Sequence, residues 1–425
     1  MNKLYFGEPG FEESLSALYH RLPFPPQAEQ AAADIIAQVR DRGDQALFDF
    51  ARKFDNIELN SDNIVVSAEE IASAVKKLPA ADKKAIRQAY EQVKVFAEAT
   101  LPADWHGSPR PGVTLGEKFT PMDRVGVYVP GGTAPLVSTV LHTAGIAKAA
   151  GVREIVAATP PGGLHPATLY AMKLVGVKTI YRLGGAYAVA AMALGTESVG
   201  KVEKVVGPGN AYVTAAKKLL YGEVAIDLVA GPSEILILAD HRANPVFVAA
   251  DLLSQAEHGS GLEQAVLVTD SRELIEKVES ELLRQKAMLG RESIVDKVLD
   301  KGVFLIWVPD LDCGCELAGN YAPEHLEIQT LNPEKYARKI KAAGAMFLGD
   351  WTPEPAGDFC AGPSHVLPTA SSALSFNGLE TSSFMRRTSI VKYSKAALRR
   401  EAEVIERFGK MEQLDAHGRA ATVRR

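Results

Sequence analysis

Cysteine is scarce in this chain and no apolar run is long. Three cysteines, Cys313, Cys315 and Cys360, occur in 425 residues. They are too few for a disulfide framework and suit a reducing compartment. Cys313-Gly-Cys315 could be half of a metal site, but no second cysteine pair completes it. No stretch of about 18 apolar residues is present, which excludes a membrane-spanning helix. A secretory signal is also missing, because MNKLYFGEPGFEESL places Glu8, Glu12 and Glu13 where an apolar segment belongs. A cytoplasmic location is the resulting expectation. The net charge of −5 gives no reason to expect nucleic acid or an anionic membrane as partner. The dinucleotide fingerprint G-x-G-x-x-G, tandem repeats and low-complexity linkers are absent too.

What is present fits a globular enzyme-sized chain. Hydrophobic residues make up 47% and charged residues 23%, enough for a full core. At about 150 residues per domain, two or three domains are expected. The chain opens with helical material: Glu29 to Arg40 is Ala-rich and amphipathic. Ser67 and Glu70 form a capping-box pattern ahead of a helical region that runs towards Thr100 and breaks near Pro79. Beyond Pro121, strands alternate with helices. Strands are predicted over 125–129, 154–158, 179–183 and 202–206, with helices over 136–150, 166–175, 188–194 and 211–221. A second block has strands over 235–238, 265–269, 303–308 and 345–348, and helices near 246–257, 271–286 and 333–342. This alternation predicts parallel sheets with crossover helices. A mixed tail ends in a charged helix over 396–414.

Glycine-rich turns follow three strands of the first block, at Pro130-Gly131-Gly132, Gly184-Gly185 and Gly207-Pro208-Gly209-Asn210. Each is either a tight turn or part of a nucleotide-sized crevice at the carboxyl ends of the strands. Gln255 and His258 lie three apart at the end of a predicted helix, and so share a face. They are either a solvated helix end or a site for a metal or polar ligand. Glu324-His325 stands where a helix gives way to a strand. The pair could be a general base and acid, or a surface carboxylate and a structural imidazole. Extended chain would send the two to opposite sides unless the junction is irregular. Residues 355–368 read as a long loop offering Asp358 and His365. Glu412 and His417 sit near the chain end, where such residues are usually of no consequence.

The segments IDLVAGPSE, DLLSQAEHG, NYAPEHLEI and GDFCAGPSHVLPT, with the terminal Ala416-His417, resemble the motifs of the histidinol dehydrogenase family in order and spacing. The likeness runs from about Val125 to the C-terminus and takes in PGG, GGA and GPGN. It implies an α/β fold of two Rossmann-like parallel-sheet domains, aldehyde-dehydrogenase-like, with helical N-terminal and small C-terminal additions. On that reading, residues 1–124 pack with the second α/β block and 125–234 form the NAD side. Residues 235–370 carry metal and catalytic residues, and 371–425 reach a partner subunit. The implied activity is oxidation of L-histidinol through the aldehyde to L-histidine, the last steps of histidine biosynthesis, with Zn²⁺ and NAD.

By the same resemblance, Gln255, His258, Asp358 and His417 are the metal ligands and Glu324 and His325 the catalytic pair. Ser233, Gln255, His258, His325, Asp358, Glu412 and His417 bind substrate, and Tyr128, Tyr187 and Asn210 bind NAD. Glu412 and His417 would come from the other subunit of an obligate homodimer. Tyr187 departs from the family's GGAQA, where an amide stands. Two other readings are a paralogue that oxidises a different small polar alcohol and a non-catalytic zinc-binding scaffold.

Overall fold

The computed structural model describes residues 1–131 and 135–425, so Gly132 of the first glycine turn lies outside the described residues. The N-terminal part contains strand β1 (Asn2–Tyr5), helices Phe11–Tyr19, Pro26–Arg42 and Ala80–Ala99, and strands β2 (Trp105–Arg110) and β3 (Val113–Pro121). The first α/β block supplies β4 (Arg124–Tyr128), β5 (Glu154–Ala158), β6 (Thr179–Tyr181), β7 (Lys204–Val206) and β8 (Ala225–Ile226). The second supplies β9 (Glu234–Ala239), β10 (Gln264–Thr269), β11 (Val303–Trp307), β12 (His325–Gln329) and β13 (Ala345–Leu348), and β14 (Met385–Tyr393) lies in the tail.

These strands make three sheets. One is parallel, in the order β6-β5-β4-β7-β8; the second, also parallel, runs β1-β11-β10-β9-β12-β13; the third is antiparallel, β14-β3-β2. The two parallel sheets are those the alternation predicts. β9 shows why they form. All six residues of Glu-Ile-Leu-Ile-Leu-Ala are buried. Ile235 and Ile237 face a core shared with helices Pro245–Ala256 and Arg272–Lys286, while Leu236 and Leu238 face helix Leu311–Tyr321. Each such side chain contributes roughly 1.5–3 kcal/mol when fully buried. A strand covered on both faces therefore needs a continuous apolar run.

Three features differ from expectation. The N-terminal region does not pack as a body on the second block: β1 and Phe11–Tyr19 do, but Pro26–Arg42 packs on helices Gly185–Leu194 and Ala211–Leu220 of the first. That region is not wholly helical either, since β2 and β3 form an arm with β14. The predicted helix 333–342 is short, Pro333–Ala337. Among the described residues no helix is long and apolar enough to cross a membrane.

Candidate active site

Glu324 and His325 stand at the amino end of β12, beside the amino end of its neighbour β9 in the second sheet. β9 and β12 are parallel neighbours, with His325 opposite Ile235. The helix after β9 runs back to this edge and delivers Gln255 in its last turn and His258 just beyond. After β13 the chain also returns. Asp358 lies in a short helix, Glu354–Phe359, within the segment expected to be loop. Ser233 immediately precedes β9 and is half-buried.

Glu324 and His325 enter the same site, because the junction is irregular: Ala322 is left-handed, at φ 47. The Glu324 carboxylate Oε2 lies 3.8 Å from His325 Nδ1. His325 is 2% exposed. Its Nδ1 faces two acceptors, the Glu234 carbonyl at 3.2 Å and Gln255 Oε1 at 3.1 Å. The ring proton therefore belongs on Nδ1, which leaves a lone pair on Nε2. Burial lowers this imidazole to about 4 despite the nearby Asp358 carboxylate, so it is neutral at pH 7. Burial likewise lifts the Glu324 carboxyl well above the usual range, against a hydrogen bond from the Glu234 N–H at 3.0 Å.

Gln255 is fully buried, and its Nε2 lies 3.4 Å from His258 Nδ1. His258 is more open, with Nε2 4.0 Å from Asp358 Oδ2. That separation is too long for a hydrogen bond but suits two ligands of one ion. A second cluster overlaps this one: atoms of His325, Glu354 and Asp358 lie within 4.8 Å of one another. Among the described residues Glu354 Oε1 has no hydrogen-bond partner, and it sits 3.6 Å from His325 Nε2. Burial first, and the Asp358 carboxylate second, push Glu354 up to about 9. Two overlapping donor sets therefore share Asp358: His325, Glu354 and Asp358, and Gln255, His258 and Asp358. His417 and Glu412 are exposed near the chain end, with no hydrogen bond or ion pair to the other site residues.

Sequence reasoning overlooked several buried groups around this centre. Glu327 accepts the Glu354 N–H at 2.7 Å and the Gln329 amide at 2.9 Å, and Gln329 also donates to Asp251 at 3.1 Å. This cluster joins β12, the Gln255 helix and the Asp358 helix. His142, in a π-helical turn over Leu141–Gly145, stacks on His365 with ring centres 4.5 Å apart. The available signal was a carboxylate inside an apolar run, as in Glu234-Ile-Leu-Ile and His325-Leu-Glu327-Ile.

The three expected cofactor residues lie at the carboxyl ends of first-sheet strands. Asn210 is exposed and caps helix Ala211–Leu220, its oxygen accepting the N–H groups of Tyr212 and Val213 at 3.1 Å each. The turn before it is held by a buried Lys217–Asp227 pair, with Asp227 also accepting the Gly207 N–H at 2.7 Å. Gly207, at φ 117, leaves no room for a Cβ, which would come within 2.1 Å of the Tyr128 carbonyl. Tyr128 is 4% exposed and accepts the Gly185 N–H at 3.0 Å. Tyr187 is 1% exposed; its hydroxyl donates to Asp55 and its ring packs on Phe50. Of the three, Asn210 alone faces outward.

A sequence model described as histidinol dehydrogenase matches residues 24–425. Proteins named histidinol dehydrogenase from Heliobacterium mobile and Geobacter sulfurreducens are 46% and 44% identical, over 92% and 94% of this chain and 92% and 93% of their own. One from Caulobacter vibrioides is 43% identical over 100% of this chain and 99% of its own. The crystal structure of histidinol dehydrogenase from Elizabethkingia anophelis superposes with a TM-score of 0.94 at 35% identity, covering 100% of this chain and 98% of that one.

Proposed function

The chain belongs to the histidinol dehydrogenase family, and we propose on that basis that it oxidises L-histidinol through L-histidinaldehyde to L-histidine. The observation that carries the reading is the His325–Glu324 pair beside Gln255, His258 and Asp358. A neutral imidazole with a bare Nε2 stands next to a carboxyl and a set of oxygen and nitrogen donors.

Gln255, His258 and Asp358, completed by the partner subunit's His417, would hold zinc, and the first-sheet crevice at Asn210 and Tyr128 would hold NAD. Bound NAD would supply the hydride acceptor for each oxidation, and a bound zinc would supply an anchor for the nitrogen donors of the substrate. His325 Nε2 takes the hydroxyl proton as the alcohol becomes an aldehyde. Glu324, in its ionised form, removes a proton from the water that adds to the aldehyde; the burial that raises its proton affinity makes that carboxylate a stronger base. His325 again takes a hydroxyl proton as the hydrate becomes the carboxylate. The sum is one histidinol and one water converted to histidine, with two NADH. Ser233, half-buried just before β9, would contact the substrate. Glu412 would enter from the partner subunit, so two chains would complete each site. Support for that pairing comes from the apolar faces around Glu412, where Phe408, Met411 and Leu414 are 54%, 68% and 41% exposed. Tyr187 would shape the wall of the crevice rather than touch the cofactor.

The test is turnover of histidinol with two NADH formed per histidine. NADH from another amino or sulfonated alcohol, and none from histidinol, would transfer the case to a paralogue. His325→Asn should lose oxidation while metal analysis still finds one zinc per chain. Loss of the metal in that variant would place His325 among the ligands.

A further inference from the structure

The turn that aims the catalytic pair is held by a side chain from far upstream. Helix Leu311–Tyr321 ends at Tyr321, and left-handed Ala322 then swings the chain so that Glu324 and His325 both enter the site. A residue with a Cβ stays in that conformation only where its surroundings hold it. Arg21, between helices Phe11–Tyr19 and Pro26–Arg42, supplies much of that hold. Its side chain is 8% exposed, and its guanidinium lies 3.7 Å from the Tyr321 ring centre. One terminal nitrogen pairs with the Glu234 carboxylate; the other donates to the Tyr321 carbonyl and the Ser371 hydroxyl. Glu234 in turn accepts the N–H of Glu324 at 3.3 Å and of Ala370 at 3.2 Å, and its own N–H donates to Glu324 Oε2. The matched family segment begins at residue 24, so Arg21 precedes it.

We propose that Arg21 is a positioning residue for Glu324, acting through Glu234 and through the turn at Tyr321–Glu324. The proposal rests on the role given to Glu324 above. A guanidinium fork can meet Glu234, the Tyr321 carbonyl and Ser371 together, whereas a single ammonium cannot span all three. Because Glu324 serves the addition of water, its misplacement should harm oxidation of the aldehyde more than oxidation of the alcohol.

The two half-reactions are measured separately, in single turnovers of histidinol and of histidinaldehyde, for wild type, Arg21→Met and Arg21→Lys. In Arg21→Met the aldehyde rate should fall about tenfold further than the alcohol rate, with zinc content unchanged. Arg21→Lys keeps the charge opposite Glu234, and so the fold, and should show the same imbalance in smaller measure. An equal fall in both half-reactions, or none, in the folded variants would overturn the proposal. A wild type that yields NADH from neither compound would sink the functional reading and this inference with it. An active wild type with balanced variants would sink only the role of Arg21.

Discussion

Tyr187 shows how one substitution inside a familiar motif changes the physics of its site. An amide at this position can offer a donor and an acceptor, but a phenol is a large ring with one hydroxyl. Here the ring is buried against Phe50 and the hydroxyl serves Asp55. Burial and that carboxylate both push the phenol's proton affinity upward, so it stays neutral. Removing the hydroxyl in Tyr187→Phe should cost about 1 kcal/mol, because a half-buried acceptor loses its donor. Urea denaturation reads that cost. The KM for NAD should not move, and a large rise in KM without loss of stability would show that the hydroxyl meets the cofactor.

Elements carry the next level, and Asp251 links three of them. It lies one turn before Gln255, and its carboxyl is raised from 3.8 to about 6, chiefly by burial. The folded chain thus keeps a proton that the unfolded chain gives up. The stability due to this group is complete below the unfolded value and is lost as pH rises towards 6. Compared with Asp251→Asn, the wild type should lose stability between pH 4 and pH 6, as followed by denaturation midpoints. A constant difference across that range would mean that the carboxyl titrates alike in both states.

The same scale shows what could be read from residues alone. β5 and helix Pro166–Val175 coincide with their predicted bounds, because strands and helices buried in a parallel sheet need unbroken apolar or helical periodicity; edge strand β13 coincides too, although only Phe347 in it is buried. The antiparallel arm was not legible. Five of the six residues of Trp105-His-Gly-Ser-Pro-Arg110 are exposed, and Val113 pairs with Tyr393 from the distant tail. A polar edge with so remote a partner leaves little local pattern. In the site, family likeness points to Gln255 as a ligand, which the composition of a helix end rich in polar residues does not single out. Glu354 was hidden between prolines that read as loop.

For the molecule as a whole, the exposed placement of His417 and Glu412 makes a prediction about pairs of chains. Asp358→Ala and His417→Ala chains should each be inactive alone. Unfolded together and refolded, they should regain activity if sites are shared, because a mixed dimer then has one site with both defects and one with neither. If each site belongs to a single chain, every site in the mixture keeps one defect. Absence of regained activity, with mixed dimers shown by mass spectrometry, would refute sharing.

The outer strand of the larger sheet comes from the opposite end of the sequence: Asn2 pairs with Phe304 and Tyr5 with Trp307. During synthesis this segment is made long before its neighbour exists, and until then it has only solvent or chaperones for company. Closing so large a loop is slow. In the interval, β11 presents an open edge able to recruit strands from other nascent chains. The same segment brings Arg21 to the turn beside Glu324.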